Sequence, residues 1–162
     1  MIRPFAARLL AILFLALSIG GATVALPGAA PALESFRTGT LTIETADGKT
    51  HPFTVELAET PQQKMQGLMF RQEMKPDAGM LFVGDRDEVL TMWMKNTFIP
   101  LDMVFIAKDG RIAHIRKRAV PQSLETISSG GPVRAVLELN SGTTDRLGIK
   151  PGDRVIYDAF KN

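Results

Sequence analysis

The chain has no cysteine, a single tryptophan and a single tyrosine. Without thiols there is no disulfide staple, thiolate metal site, cysteine nucleophile or lipid-bearing cysteine. Stability must come from ordinary packing. Catalytic signatures are missing as well: no G-x-S-x-G elbow, S-x-x-K pair, H-E-x-x-H helix or phosphate-binding P-loop occurs. A surplus of charge is also lacking once the N-terminus is set apart. Arg3 and Arg8 are the only charged residues of the first 32, so residues 33–162 carry 17 basic and 17 acidic side chains. That balance lacks the basic footprint of nucleic-acid binding, and no nucleic-acid partner is expected. Arg116-Lys117-Arg118 is the one basic run, and on a strand its side chains alternate between faces.

Long apolar runs are absent except for one, the uncharged stretch from Leu9 to Leu26. It follows Arg3 and Arg8 and leads through Pro27 to Ala30-Pro31-Ala32, the pattern of a signal peptide spanning 1–32 and cut after Ala32. The alternative is a retained anchor, because 18 residues just suffice to cross a bilayer. Either way the expectation is export, to the periplasm or the exterior, with membrane contact confined to this segment. The remaining 33–162 fit one domain, with a core over about 39–158.

What is present is a series of short β-prone segments with turn residues between them. Leu41 and Ile43 alternate with polar residues, Asp47-Gly48 marks a turn, and Phe53, Val55 and Leu57 resume the alternation. Thr60-Pro61-Gln62-Gln63 has the form of a capping box with proline at the first helical position. It predicts a short helix over about 60–70 that buries Met65, Leu68 and Met69. Further strands are expected at Met80 to Val83, Val89 to Met94, Leu101 to Ala107, Arg111 to Lys117, Val133 to Leu139 and Arg154 to Asp158. A charged turn is expected at Asp85 to Glu88 and a loose segment at Ala119 to Pro132, with Ser128 to Pro132 as its most flexible part. The fold class is mainly β, a compact barrel-like or sandwich domain of short antiparallel strands with one short packed helix.

Several separated motifs carry a resemblance. Thr60-Pro61, Gly67-Leu68-Met69 with Arg71, Gly79-Met80-Leu81-Phe82, Trp93-Met94-Lys95-Asn96-Thr97, Leu101-Asp102, Val136-Leu137-Glu138-Leu139-Asn140 with Gly142, and Gly152-Asp153 follow one another in order. From about Phe53 to Tyr157 the chain resembles the DUF192 (UPF0127) family, which implies a small, often exported bacterial or archaeal protein without an established activity. Lys64 departs from the arginine common in that family, keeping the charge but losing a bidentate grip on planar anions.

Three kinds of function fit the central motif. A binding site for a small polar ligand, such as a sugar or an organic acid, would use Arg71, Trp93, Lys95, Asn96, Thr97 and Asp102 as an aromatic wall with convergent polar groups. The same residues also serve a purely structural network. A Cu(I) carrier would use the thioethers of Met92 and Met94 beside the Trp93 ring, with no other cofactor implied. A hydrolase would need Asp102 and Glu138 to share a cleft as acid and base. No catalytic residue is assigned, and binding or an accessory role in the cell envelope is the expectation, of unknown oligomeric state.

Overall fold

Alternation of apolar and polar residues produces the first hairpin, β1 (Arg37–Glu44) and β2 (Thr50–Ala58), with Leu41, Ile43, Phe53, Val55 and Leu57 all turned inward. The computed structural model describes residues 33–160; the expected signal peptide, 1–32, lies outside them. After β2 come α1 (Pro61–Gln66), β3 (Ala78–Met92), β4 (Leu101–Ile106), β5 (Ile112–Ala119), β6 (Ile127–Asn140), α2 (Thr143–Leu147) and β7 (Arg154–Ile156), with a 3-10 turn at Asp158–Phe160. The strands form one mainly β sheet in the order β5-β4-β6-β3-β2-β1-β7, curled into a half-barrel. Its two edge strands meet at one end, where Arg111 bridges to Arg154 and Val155 N–H donates to Gly110 O at 2.8 Å. Gly110 has φ +83°, and a Cβ there would stand 2.6 Å from Val155 O, so the seam closes only over glycine.

The curl leaves the central strands buried on both sides. Leu81, Val104, Leu137 and Leu139 belong to one core, inside the curl with β1 and β2. Met80, Phe82, Met103, Phe105 and Val136 belong to a second, covered by Leu68, Met94, Ile99 and Ile127 from the connecting segments. All six residues of β4 are buried for this reason.

Four local expectations are corrected. The helix is six residues long, capped by Thr60 and its box partner Gln63, and ends at Gly67; none of its residues is buried, and Met65 is 69% exposed. A single turn and a half is too short to present a stripe, so Leu68 is buried just beyond the helix. Second, β3 runs through Asp85 to Glu88 without turning. Those charged residues lie on a ribbon that extends past the core and pairs with β6, across a register shift between Val83 and Glu88, with Asp87 ion-paired to Arg134 at 2.7 Å. Third, Ser128 to Pro132 is part of β6 rather than loose chain. Leu90 N–H donates to Ser129 Oγ at 3.1 Å, and that hydroxyl donates to Gly131 O at 2.7 Å. Fourth, the sheet is not wholly antiparallel, since β2 and β3 are parallel. A connection through α1 carries the chain back to the starting end, which a tight hairpin cannot do.

Candidate functional site

Cross-strand partners share a face of the sheet, so the register decides which polar residues can meet. Asp102 on β4 stands opposite Leu139 on β6, whereas Glu138 stands opposite Met103 on β4 and Met80 on β3. The two carboxyls are therefore on opposite faces and share no cleft. Both are buried, Asp102 at 0% and Glu138 at 4% exposure, but their surroundings differ completely.

Asp102 is saturated with donors. Its Oδ1 accepts from Arg118 N–H at 3.0 Å, and its Oδ2 accepts from Thr144 N–H at 3.0 Å and Thr144 Oγ1 at 2.7 Å. It ties β4 to the end of β5, where Arg118 has φ +53°, and to the first turn of α2. Fully buried, held by three donors and absent from the cleft lining, Asp102 ties strands and helix together and stands apart from the candidate site. Arg71 stands apart too. Its guanidinium pairs with Glu56 at 2.6 Å and borders a separate hollow of about 590 Å³ beside Thr38, Glu73 and Lys75.

The Glu138 side chain has no hydrogen-bond partner among the described residues, and burial pushes its carboxyl up to about 8. It lines a narrow cleft of about 30 Å³ that opens between the segment after α1 and the turn that follows β3. Trp93, Lys95 and Thr97 from that turn line the same cleft, as do Lys64, Met65, Met69, Phe82 and Met92. Three of the expected residues are thus brought together around a fourth, Glu138, which the sequence offered only as half of a carboxylate pair.

The turn is built to hold these groups apart from the core. β3 ends at Met92; Met94 then turns inward at 0% exposure while Trp93 stays half-exposed. Lys95 Nζ stands over the Trp93 ring, 5.2 Å from its centroid. Asn96 has φ +54°, a left-handed conformation that asparagine tolerates, and its amide donates to Met69 Sδ at 3.9 Å. Thr97 is buried, with its N–H bonded to Met94 O and its hydroxyl to Lys95 O, so it shapes the turn. Met94 is a core residue and absent from the cleft lining. Met92 packs against the same core cluster and also lines the cleft, so of the expected pair only Met92 borders it.

Lys64, Phe82 and Met92 also line a wider groove of about 500 Å³ beside the cleft. Its apolar lining includes Leu90 and Val136, and Asp85, Arg86 and Glu88 form a polar rim. Lys64 sits at the junction, its ammonium donating to Val83 O at 2.7 Å. Val136 and Glu138 are two residues apart on β6, so groove and cleft rest on one face. The groove falls within the size range of small-molecule sites. Lys64, Met65 and Met69 were not expected at a site; the helical spacing assigned the two methionines to packing.

No curated protein matches the chain. Among solved structures it is similar to a protein from Sinorhizobium meliloti 1021, provisionally described as a transcription regulator. That similarity has 50% identity and a TM-score of 0.77, covering 79% of this chain and 99% of that one. It is also similar to a protein of unknown function from Novosphingobium aromaticivorans DSM 12444, at 41% identity with a TM-score of 0.73, covering 80% of this chain and 94% of that one. A family model matches residues 42–157, most of the described sheet, and by that match the chain belongs to the DUF192 family, Uncharacterized ACR, COG1430.

Proposed function

We propose that this is an exported module that binds a small organic ligand at the Glu138 cleft and the adjoining groove. The observation that carries the reading is Glu138 itself, a carboxyl 4% exposed, without a hydrogen-bond partner among the described residues, lining an open cleft. Its oxygens are not sealed in the interior, so a ligand entering the cleft reaches them and supplies the hydrogen bond that no protein group gives. Export rests on the N-terminal sequence pattern alone.

The chemistry of the lining favours an organic acid over a sugar. Held up at about 8, the Glu138 carboxyl keeps its proton at neutral pH and offers an O–H donor instead of a repelling charge. Lys95 and Lys64 supply positive potential at the mouth; the cleft, at about 30 Å³, admits one small polar group of the ligand beside Trp93, and Phe82, Leu90 and Met92 of the adjoining groove wall its body. The description of the Sinorhizobium protein as a regulator does not alter this reading. Here two of the three residues in the basic run, Lys117 and Arg118, are paired with Asp145 at 2.6 and 2.9 Å.

Trp93 is the only tryptophan and borders the cleft, so its fluorescence reports the site directly. Titration with a panel of organic acids and sugars is expected to give a saturable change with one or more acids. Glu138→Leu should abolish the change, and Glu138→Gln, which keeps a donor, should retain it. No response to any member of the panel, or an undiminished response in Glu138→Leu, ends the reading.

A second reading, Cu(I) binding, is favoured by one specific observation: Met65, Met69 and Met92 line this same cleft beside Trp93. Thioethers are soft donors suited to that ion. Under reducing conditions Cu(I) should quench Trp93 in the native domain and fail to do so in a Met69→Leu, Met92→Leu variant; equal quenching in both excludes this set.

A further inference from the structure

The segments that carry the cleft also expose apolar side chains, of which the small-ligand reading uses only Trp93. Six of the nine large apolar residues exposed among the described residues, Met65, Phe70, Trp93, Phe98, Val120 and Leu124, are 38–70% exposed. All six belong to three segments that bond to one another. Phe70 N–H donates to Asn96 O at 2.9 Å, Gln122 N–H donates to Thr97 O at 3.1 Å, and Met94 N–H donates to Ser123 O at 3.0 Å. Phe70 and Phe98 meet edge to face with centroids 6.3 Å apart. Scattered apolar residues need no explanation, but a concentration on one hydrogen-bonded rim marks an interaction surface.

We infer that this rim docks the domain onto an anionic lipid bilayer, with Trp93, Phe98, Val120 and Leu124 entering the interface. Charge selects this occupant. Across residues 61–73, 93–98 and 116–126 there are six basic side chains, Lys64, Arg71, Lys95, Arg116, Lys117 and Arg118, against Glu73 and Glu125; Arg71 is paired with Glu56, and Lys117 and Arg118 with Asp145, so with those two carboxylates counted the rim keeps an excess of two positive charges. The rest of the chain from 33 onward is correspondingly acidic. Lys95 and Arg116 make no ion pair among the described residues, so their charge is available to a partner, while the Lys64 ammonium is held by Val83 O. A second copy placed face to face on the rim would bring these like charges together, which disfavours a symmetric dimer. An anionic headgroup layer matches them, and tryptophan beside an ammonium is suited to the boundary between headgroups and acyl chains.

The inference does not rest on the identity of any cleft ligand, and its test can fail separately. Over 99% of its length the solved Sinorhizobium chain corresponds to this domain. A chain starting at Leu33 therefore folds without the apolar N-terminal run, which would bind lipid by itself. That domain should sediment with phosphatidylglycerol vesicles and hardly at all with phosphatidylcholine vesicles. Trp93 emission should shift to the blue, brominated acyl chains should quench it, and salt should weaken the association. Val120→Ser with Leu124→Ser, both at highly exposed positions, should weaken vesicle binding roughly tenfold or more and leave the Trp93 response to cleft ligands intact. Equal binding by that variant, no quenching by brominated lipid, or a concentration-dependent dimer in solution that the variant abolishes would each overturn the inference. The last outcome would assign the rim to a second copy.

Discussion

Asp102 and Glu138 occupy neighbouring strands one register position apart, both buried, and they teach opposite lessons. Asp102 faces the core inside the curl and accepts three hydrogen bonds, so its charge is compensated and its geometry fixed. Glu138 faces the other way, meets no donor, and holds its proton. A carboxylate enclosed by donors serves the fold; one left without partners and within reach of a cleft is available for something else. The residue type alone separates neither case. Only the pleat of β6, which turns Leu139 toward Asp102 and Glu138 away from it, does so.

The comparison breaks most sharply at Asp102. Asp102→Ala leaves the donors of Arg118 and Thr144 unpaired in a closed interior, and chemical denaturation should show a loss of about 4 kcal/mol with no gain or loss at the cleft beyond that instability. A similar contrast separates two methionines. Met94→Ala, at full burial in the second core, should cost about 3 kcal/mol, while Met65→Ala on the exposed helix should leave the unfolding midpoint nearly unchanged.

Glu138 should behave with the opposite sign. Its folded-state value near 8 lies above the ordinary 4.5, so between those values the folded chain keeps a proton that the unfolded chain releases. Stability from this group is therefore full below about pH 4.5, declines as pH rises towards 8, and stays low above it. Glu138→Gln removes the decline. Denaturation at pH 5 and pH 9 should show the variant gaining on the native chain by an amount on the order of 2 kcal/mol at the higher pH, a figure discounted for water reaching the cleft. A native chain whose stability relative to the variant is flat over that range would mean that Glu138 is paired after all. The smallest effect belongs to Arg71, whose partly exposed pair with Glu56 should be worth about 0.5 kcal/mol on Arg71→Ala, with no change in the Trp93 response.

Much of the sheet was legible because alternation is a local property. Leu41, Ile43, Phe53, Val55 and Leu57 were read as inward and are inward. Reading failed where solvated residues lie within a strand. Asp85 to Glu88 and Ser128 to Pro132 have the composition of turns, and they are held extended by pairing of β3 with β6, between residues such as Glu88 and Val133 or Thr91 and Ser128 that are far apart in sequence. At the site, Trp93, Lys95 and Thr97 were legible because they share one turn, whereas Glu138, Lys64 and Met69 arrive from elsewhere.

By itself the sequence determined the mainly β class, the capping box that starts α1, and the family, because each is written in neighbouring residues and their order. The tertiary structure decided which carboxyl is saturated and which is free, which methionine packs and which lines a cleft, and that β2 and β3 run parallel. Those outcomes depend on register and on the side of the sheet that the curl leaves open. A shift of one residue in the pairing of β4 with β6 would exchange the roles of the two faces.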